Sequence, residues 1–144
     1  MTAEEPQAFV DTNVLVYALA ADDPKRSPVA QELIKRLMSR QALHTSTQVL
    51  QELYVTLTRK VRQPITPEQA LRYLERIAAW PVTVLNYEAI RSAIEVSTAN
   101  RISFWDALVV VAASLSGAKR LYTEDLQAGR VLLGVEIVNP FRNG

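Results

Sequence analysis

Three apolar residues at 8–10, AFV, run into the polar trio Asp11, Thr12 and Asn13, and the chain then turns apolar again as VLVYALAA. The short run reads as a buried strand, and the longer one, from Val14, as the helix after it. Pro24 and Pro28 punctuate the next stretch, with Ser27 predicted as N-cap and Pro28 in the first position of a helix through about Met38. ALHT at 42–45 is a second short strand. From about Thr47 to Val61, the apolar residues Val49, Leu50, Leu53, Tyr54, Leu57 and Val61 share one helical stripe. Thr66, Pro67 and Gln69 write a capping box for the helix that follows. PVTVL at 81–85 is β-branched and bounded by Pro81 and Asn86, which predicts a strand. Helices are predicted over 87–99 and from Phe104 to Ser116, where Gly117 stops the second. RLYT at 120–123 and VEIV at 135–138 supply the last strands. Strands separated by helices predict an α/β domain with a mainly parallel central sheet, and right-handed crossovers place helices on both faces.

Length and composition narrow the chemistry. The 144 residues, 49% hydrophobic and 22% charged, fit one globular domain spanning the chain, 1–144, with residues 1–7 expected as a flexible N-terminal tail. That tail, MTAEEPQ, has neither the basic n-region nor the apolar h-region of a signal peptide. The longest strongly apolar run, ALVVVAA at 107–113, is far short of the ~20 residues that cross a bilayer. The expectation is a soluble, cytoplasmic protein with no membrane partner. With no cysteine there are no disulfides, thiolate zinc sites or Cys nucleophiles. His44 is the only histidine, so His-pair metal motifs are excluded, and a Ser-His-Asp triad would have to run through that one position. Net charge is only +1, but 12 of the 16 basic residues are Arg, whose planar fork matches phosphate oxygens. A compositional bias would produce the same excess.

The acids are more informative by position than by number. In a parallel sheet, ligand sites form outside the carboxyl ends of the strands. Asp11 ends the first predicted strand, Asp125 lies just past RLYT, Glu52 is two turns into the helix after ALHT, and Asp106 is in the first turn of SFWDALVVVAA. Each has a local explanation as well. Asp11 can cap a helix. Ser103 and Asp106 fit a capping box. Asp125, beside Glu124, fits ordinary turn chemistry. Glu52 sits roughly 140° from the centre of the apolar stripe, where the wheel places a surface residue. Gathered at one edge, however, these acids would repel one another unless a cation were present. Mg2+ or Mn2+, bound by carboxylate oxygen and water, needs no His or Cys.

The pieces FVDTNVLVYAL, TQVLQELYVTL, ISFWDALVVVAA and LYTEDLQAG, in this order and across nearly the whole chain, resemble the PIN-domain family, and within it the VapC-type toxins of type II toxin–antitoxin pairs. The resemblance implies a three-layer PIN-like α/β domain and a metal-dependent endoribonuclease that uses Mg2+ or Mn2+ and an activated water. It maps the family's acidic quartet onto Asp11, Glu52, Asp106 and Asp125, with Asp11, Asp106 and Asp125 as metal ligands and Thr12, Asn13 and Thr123 in support. Asp125 is assigned by its spacing from Thr123, and Glu124 is left able to share that role. The family's usual aromatic after the T-x-D run is missing from Thr123-Glu124-Asp125-Leu126-Gln127. The resemblance also implies an RNA substrate, a homodimer and a cognate VapB-like antitoxin, with QELIKRLM at 31–38 and LRYLERIAAW at 71–80 as candidate contacts. With the four acids facing a metal, 16 basic residues against the 11 other acids leave +5 for an RNA backbone to meet.

Two rivals use the same residues. A phosphotransferase would take Asp11 as phosphoacceptor, but haloacid-dehalogenase-type enzymes want a second Asp two positions on, where this chain has Asn13. A catalytically inactive PIN-like RNA-binding or scaffold module is the non-enzyme rival. Degenerate members lose acids from the quartet, and this chain keeps all four.

Overall fold

A computed structural model describes residues 5–142. In chain order its elements are β1 (Ala8–Val10), α1 (Thr12–Ala20), α2 (Arg26–Ser39), β2 (Leu43–Ser46), α3 (Thr47–Val55), α4 (Pro67–Ala78), β3 (Val82–Thr83), α5 (Tyr87–Asn100), α6 (Phe104–Leu115), β4 (Arg120–Tyr122), β5 (Val131–Leu132) and β6 (Val135–Val138). The six strands form one sheet in the order β3-β2-β1-β4-β6-β5, parallel throughout except for the antiparallel β5–β6 pair. Helices flank this mostly parallel sheet, as the alternation of apolar runs predicts.

The central position of β1 follows from its composition. Ala8, Phe9 and Val10 are all fully buried, with no polar alternation, as a strand covered on both faces requires. Its neighbour β4 runs in register with it, Val10 opposite Tyr122. The residues just past the two strands, Asp11 and Thr123, therefore emerge side by side at the same edge of the sheet. This is the structural fact on which the site depends.

The middle of α6, residues 107–113, is apolar on every side because it is buried on every side. Val109, Val110, Ala112 and Ala113 join the main core, while Ala107, Leu108 and Val111 pack with Ala89, Ala93 and Val96 of α5 in a second cluster. α1 packs on α2 and α3, and α3 on α4. From α3 the core takes Val49 and Leu53, and Leu57 follows in the turn beyond it. Burying each such side chain contributes roughly 1.5–3 kcal/mol.

Several predicted boundaries move. α2 begins at Arg26, ahead of Ser27, because the Asp23 carboxylate accepts the N–H groups of Lys25 and Arg26 at 3.0 and 2.8 Å. Ser27 is instead buried inside the first turn. α3 ends at Val55 and continues as a wider π-helical turn, Thr56–Lys60, in place of an α-helix to Val61. There the Thr58 hydroxyl donates to the Tyr54 carbonyl at 2.8 Å, and Val61 N–H reaches back to Thr56 O at 3.1 Å. β3 keeps only two residues of PVTVL, paired with Thr45 and Ser46. β5 was not predicted at all. Of the expected tail, residues 1–4 lie outside the described residues. Glu5 pairs with Arg36 at 2.8 Å, and the Gln7 carbonyl accepts Lys119 N–H at 2.8 Å.

Candidate functional site

Asp11 leaves β1 in extended geometry and caps α1, its Oδ1 accepting the Thr12 N–H at 2.7 Å. Oδ2 accepts the Thr123 hydroxyl at 2.9 Å, a bond across 112 positions that the β1–β4 register makes possible. Thr123 is fully buried, and its oxygen also accepts the Asp125 N–H at 3.1 Å. Asp11 itself is 6% exposed. Burial is the main reason its carboxyl is pushed up to about 7. The Thr12 and Thr123 bonds oppose the shift, and the charges of Asp125 and Glu52 add to it.

Glu52 arrives from α3, which Ser46 caps through the Val49 N–H at 3.2 Å. The wheel is right that Glu52 is exposed, yet the exposure faces a pocket. Its Oε1 accepts from Gln48 Nε2 at 2.7 Å and its Oε2 from the Thr12 hydroxyl at 3.5 Å. Asp125 and Glu52 line the same open pocket, of about 300 Å3, together with Asp11, Thr12, Asn13 and Tyr17. Both polar atoms of the Asn13 amide are buried there without a partner.

Asp106 stands to one side. It is half-buried in the first turn of α6 and is not among the residues lining that pocket. Ser103 caps its N–H at 3.0 Å, so the cap accounts for its backbone. The carboxyl is raised above its ordinary value by burial first, is eased by the Ser103 hydroxyl, and feels the charge of Asp125. Asp125 is thus the acid coupled to both Asp11 and Asp106. Glu124 points elsewhere: the Tyr17 hydroxyl donates to its Oε1 and Arg26 Nε to its Oε2 at 2.8 Å.

The donors suit a hard divalent ion. They are all oxygens, no cysteine competes, and the one histidine, His44, is engaged with Gln7 Oε1 at 2.6 Å. The orphaned Asn13 amide adds a polar group ready for a ligand. Among the described residues, no three Asp, Glu or His side chains converge closely enough to enclose an ion as they stand. Glu52 and Asp125 are both exposed at this edge. Sequence reasoning did not single out Gln48, Tyr17 or Arg26. The spacing of Gln48 and Glu52, one helical turn apart, was a signal for the first. Nothing local announced the contacts of Tyr17 and Arg26, which join distant parts of the chain.

Compared by sequence with curated proteins, the chain matches none. By shape it is similar to a toxin–antitoxin complex from Klebsiella pneumoniae, with a TM-score of 0.69 at 16% identity over 93% of this chain and 98% of that one. It is also similar to VapC20 of Mycobacterium tuberculosis, a Sarcin-Ricin loop cleaving toxin (TM-score 0.60, 23% identity, 83% of this chain and 92% of that one). A third likeness is to VapBC2 from Rickettsia felis bound to a DNA fragment from its promoter (TM-score 0.63, 18% identity, 90% of this chain and 96% of that one). At these identities the likenesses establish the fold. The family model described as PIN domain matches residues 8–131, from the start of β1 into β5, a span that takes in all four acids. The chain belongs to the PIN domain family.

Proposed function

We propose that the chain is a single PIN domain acting as a metal-dependent endoribonuclease, a VapC-like toxin that hydrolyses RNA phosphodiester bonds. The observation that carries this reading is Asp11: a buried carboxyl with a raised pKa at the end of the central strand, facing a pocket shared with Asp125 and Glu52. A buried, perturbed acid in a cleft is a candidate for a functional site. Family membership supports the reading, as does the printed description of VapC20 as a toxin that cleaves the Sarcin-Ricin loop.

Asp11, Asp106 and Asp125 would hold Mg2+ or Mn2+, which when bound supplies positive charge at a phosphoryl group and makes water more acidic. The chain's own residues do the rest. Glu52, oriented by Gln48 and Thr12, accepts a proton from the attacking water. Thr123 keeps Asp11 aimed past the sheet edge and ties the Asp125 backbone to it. The unpartnered Asn13 amide offers hydrogen bonds to a phosphate oxygen or a bridging water.

A VapB-like antitoxin is the proposed partner, and the toxin–antitoxin complexes among the similar structures support it. The groove between α1 and α2, where Ala18, Leu19, Ile34 and Met38 lie beside Gln31, Glu32 and Lys35, takes in the 31–38 segment and is the surface suited to it. A homodimer and a cytoplasmic location complete the proposal. Among the described residues, no helix is long and apolar enough to cross a membrane.

The test is cleavage of a mixed, structured RNA pool with Mg2+ or Mn2+ against EDTA, for wild type, Asp11→Asn and Asp106→Asn, each checked for folding. Metal-dependent cutting that disappears in both variants is expected. Wild-type cutting by Asp106→Asn would remove that residue from the site, and RNA binding without cutting under any metal would favour the inactive module.

A further inference from the structure

The loop after β4 carries Asp125 away from the sheet and is gripped from two directions. On the sheet side, Thr123 Oγ1 donates to Asp11 Oδ2 at 2.9 Å and accepts the Asp125 N–H at 3.1 Å. On the helix side, Glu124 is taken by α1 and α2. The Tyr17 hydroxyl donates to Oε1, and Arg26 Nε donates to Oε2 at 2.8 Å. One residue further on, Leu126 is buried in the core. Successive side chains thus take fixed and different directions, and Asp125 between them is left to the pocket.

Arg26 is itself held from several sides. The Asp23 carboxylate accepts its backbone N–H at 2.8 Å and its Nη1 at 3.4 Å. Its guanidinium lies 5.6 Å from the Tyr17 ring centroid and 5.8 Å from that of Phe141. Those two rings meet edge to face at 5.1 Å. A lone surface ion pair does little for stability. This one joins residues 98 positions apart, and its geometry is set by aromatic rings and a second acid.

We propose that Tyr17, Arg26 and Glu124 form a positioning clamp that fixes the loop after β4 so that Asp125 faces Asp11 across the pocket. The proposal rests on reading that pocket as a divalent-ion nuclease site. Glu124 is then a positioning residue and not a ligand, since each of its carboxylate oxygens is already committed to a donor on another element. The tie is also a coupling, because α2, whose exposed face borders the groove with α1, is linked directly to the acid loop.

The experiment uses the full chain in five variants: Glu124→Ala, Tyr17→Phe, Arg26→Glu, the exchanged pair Arg26→Glu/Glu124→Arg, and Arg36→Ala. The last breaks the ion pair with Glu5 and is the control for a merely structural effect. Four readouts are taken: melting temperature, amide hydrogen exchange at Asp125 and Leu126 by NMR, Mn2+ binding by calorimetry, and steady-state RNA cleavage. For Glu124→Ala, exchange at Asp125 should accelerate at least about tenfold, Mn2+ should bind about tenfold more weakly, and kcat should fall while KM holds. Tyr17→Phe keeps the ring under Arg26 and should show the same pattern more mildly, which keeps the test alive if Arg26→Glu fails to fold. The exchanged pair should recover part of each loss, and Arg36→Ala should move none. Wild-type exchange at Asp125, or wild-type Mn2+ affinity, in folded Glu124→Ala would overturn the clamp. If wild type itself neither binds Mn2+ nor cuts RNA, the nuclease reading falls, and the exchange data alone decide whether the clamp holds the loop.

Discussion

Replacing Asp11 by Asn in the metal-free protein should stabilise it, although both of its carboxylate oxygens accept hydrogen bonds. In the folded chain its carboxyl titrates near 7 instead of 3.8, chiefly because it is buried. In the unfolded chain it keeps its ordinary value. Between those two values the folded state binds a proton that the unfolded state has released. The group's contribution to stability is therefore fully present below about pH 4 and is lost as the pH rises through about 7. At about 1.4 kcal/mol for each tenfold change in affinity, the displacement amounts to roughly 4 kcal/mol at pH 8. Asn does not ionise, and its carbonyl oxygen still accepts the Thr12 N–H. Rearranging the bond to Thr123 costs about 1 kcal/mol. In EDTA at pH 8, Asp11→Asn should therefore be more stable than wild type by about 3 kcal/mol, or about 6–12 °C in melting temperature for a chain of this size. Near pH 4, where wild type no longer carries that penalty, the variant should melt about 2–4 °C below wild type. Mn2+ should raise the wild-type melting temperature at pH 8 and leave the variant unchanged, because only an ion bound to the folded state shifts the balance. Thermal melts at both pH values, with and without Mn2+, make the measurement. A variant less stable than wild type at pH 8 in EDTA, or a difference that does not change with pH, would refute the reasoning.

Three other substitutions separate structure from chemistry. Glu52→Gln alters an exposed side chain, so the melting temperature should hold while RNA cleavage falls by about 100-fold or more, as loss of a general base predicts; cleavage within twofold of wild type would remove Glu52 from that role. Leu53→Ala, its immediate neighbour on the fully buried side of α3, should do the opposite and cost about 3 kcal/mol in urea unfolding with little change in kcat for the folded fraction. Thr123→Val keeps the shape but deletes a buried hydroxyl that serves Asp11 and Asp125, and should cost about 1–3 kcal/mol; an unchanged unfolding midpoint would show that the hydroxyl is dispensable.

The parts of the fold legible in the sequence are those whose signals are local. The AFV run, the Thr66–Gln69 capping box and the ALVVVAA run of α6 each announce an element within a few residues, and each is found where it was expected. The misreadings come from backbone groups satisfied by unexpected partners. Ser27 looked like a cap because Pro28 follows it, but Asp23, four residues earlier, captures the free N–H groups first. The β5–β6 hairpin turns through Leu133 at φ 50° and Gly134 at φ 76°. Two positive φ values in a two-residue turn call for Asn-Gly or a similar pair, and leucine in the first position conceals the hairpin.

The site was legible in a different sense. Strand-end logic selects Asp11 and Asp125, because residues beyond neighbouring parallel strands must come out together. It could not rank Glu124 against Asp125, since adjacent residues in a loop carry the same positional signal. What separates them is long-range: Tyr17 and Arg26, over a hundred and nearly a hundred positions away in the chain, hold Glu124 and leave Asp125 to the pocket. The same distinction explains Glu52. A helical wheel registers only the core, so it assigns every other direction to solvent, yet the direction Glu52 takes is occupied by Thr12 and Asp11 from the neighbouring strand end. An acid on a polar helix face becomes a candidate for chemistry only when the sheet topology brings a second acid opposite it, and that meeting is encoded in the pairing of β1 with β2 and β4.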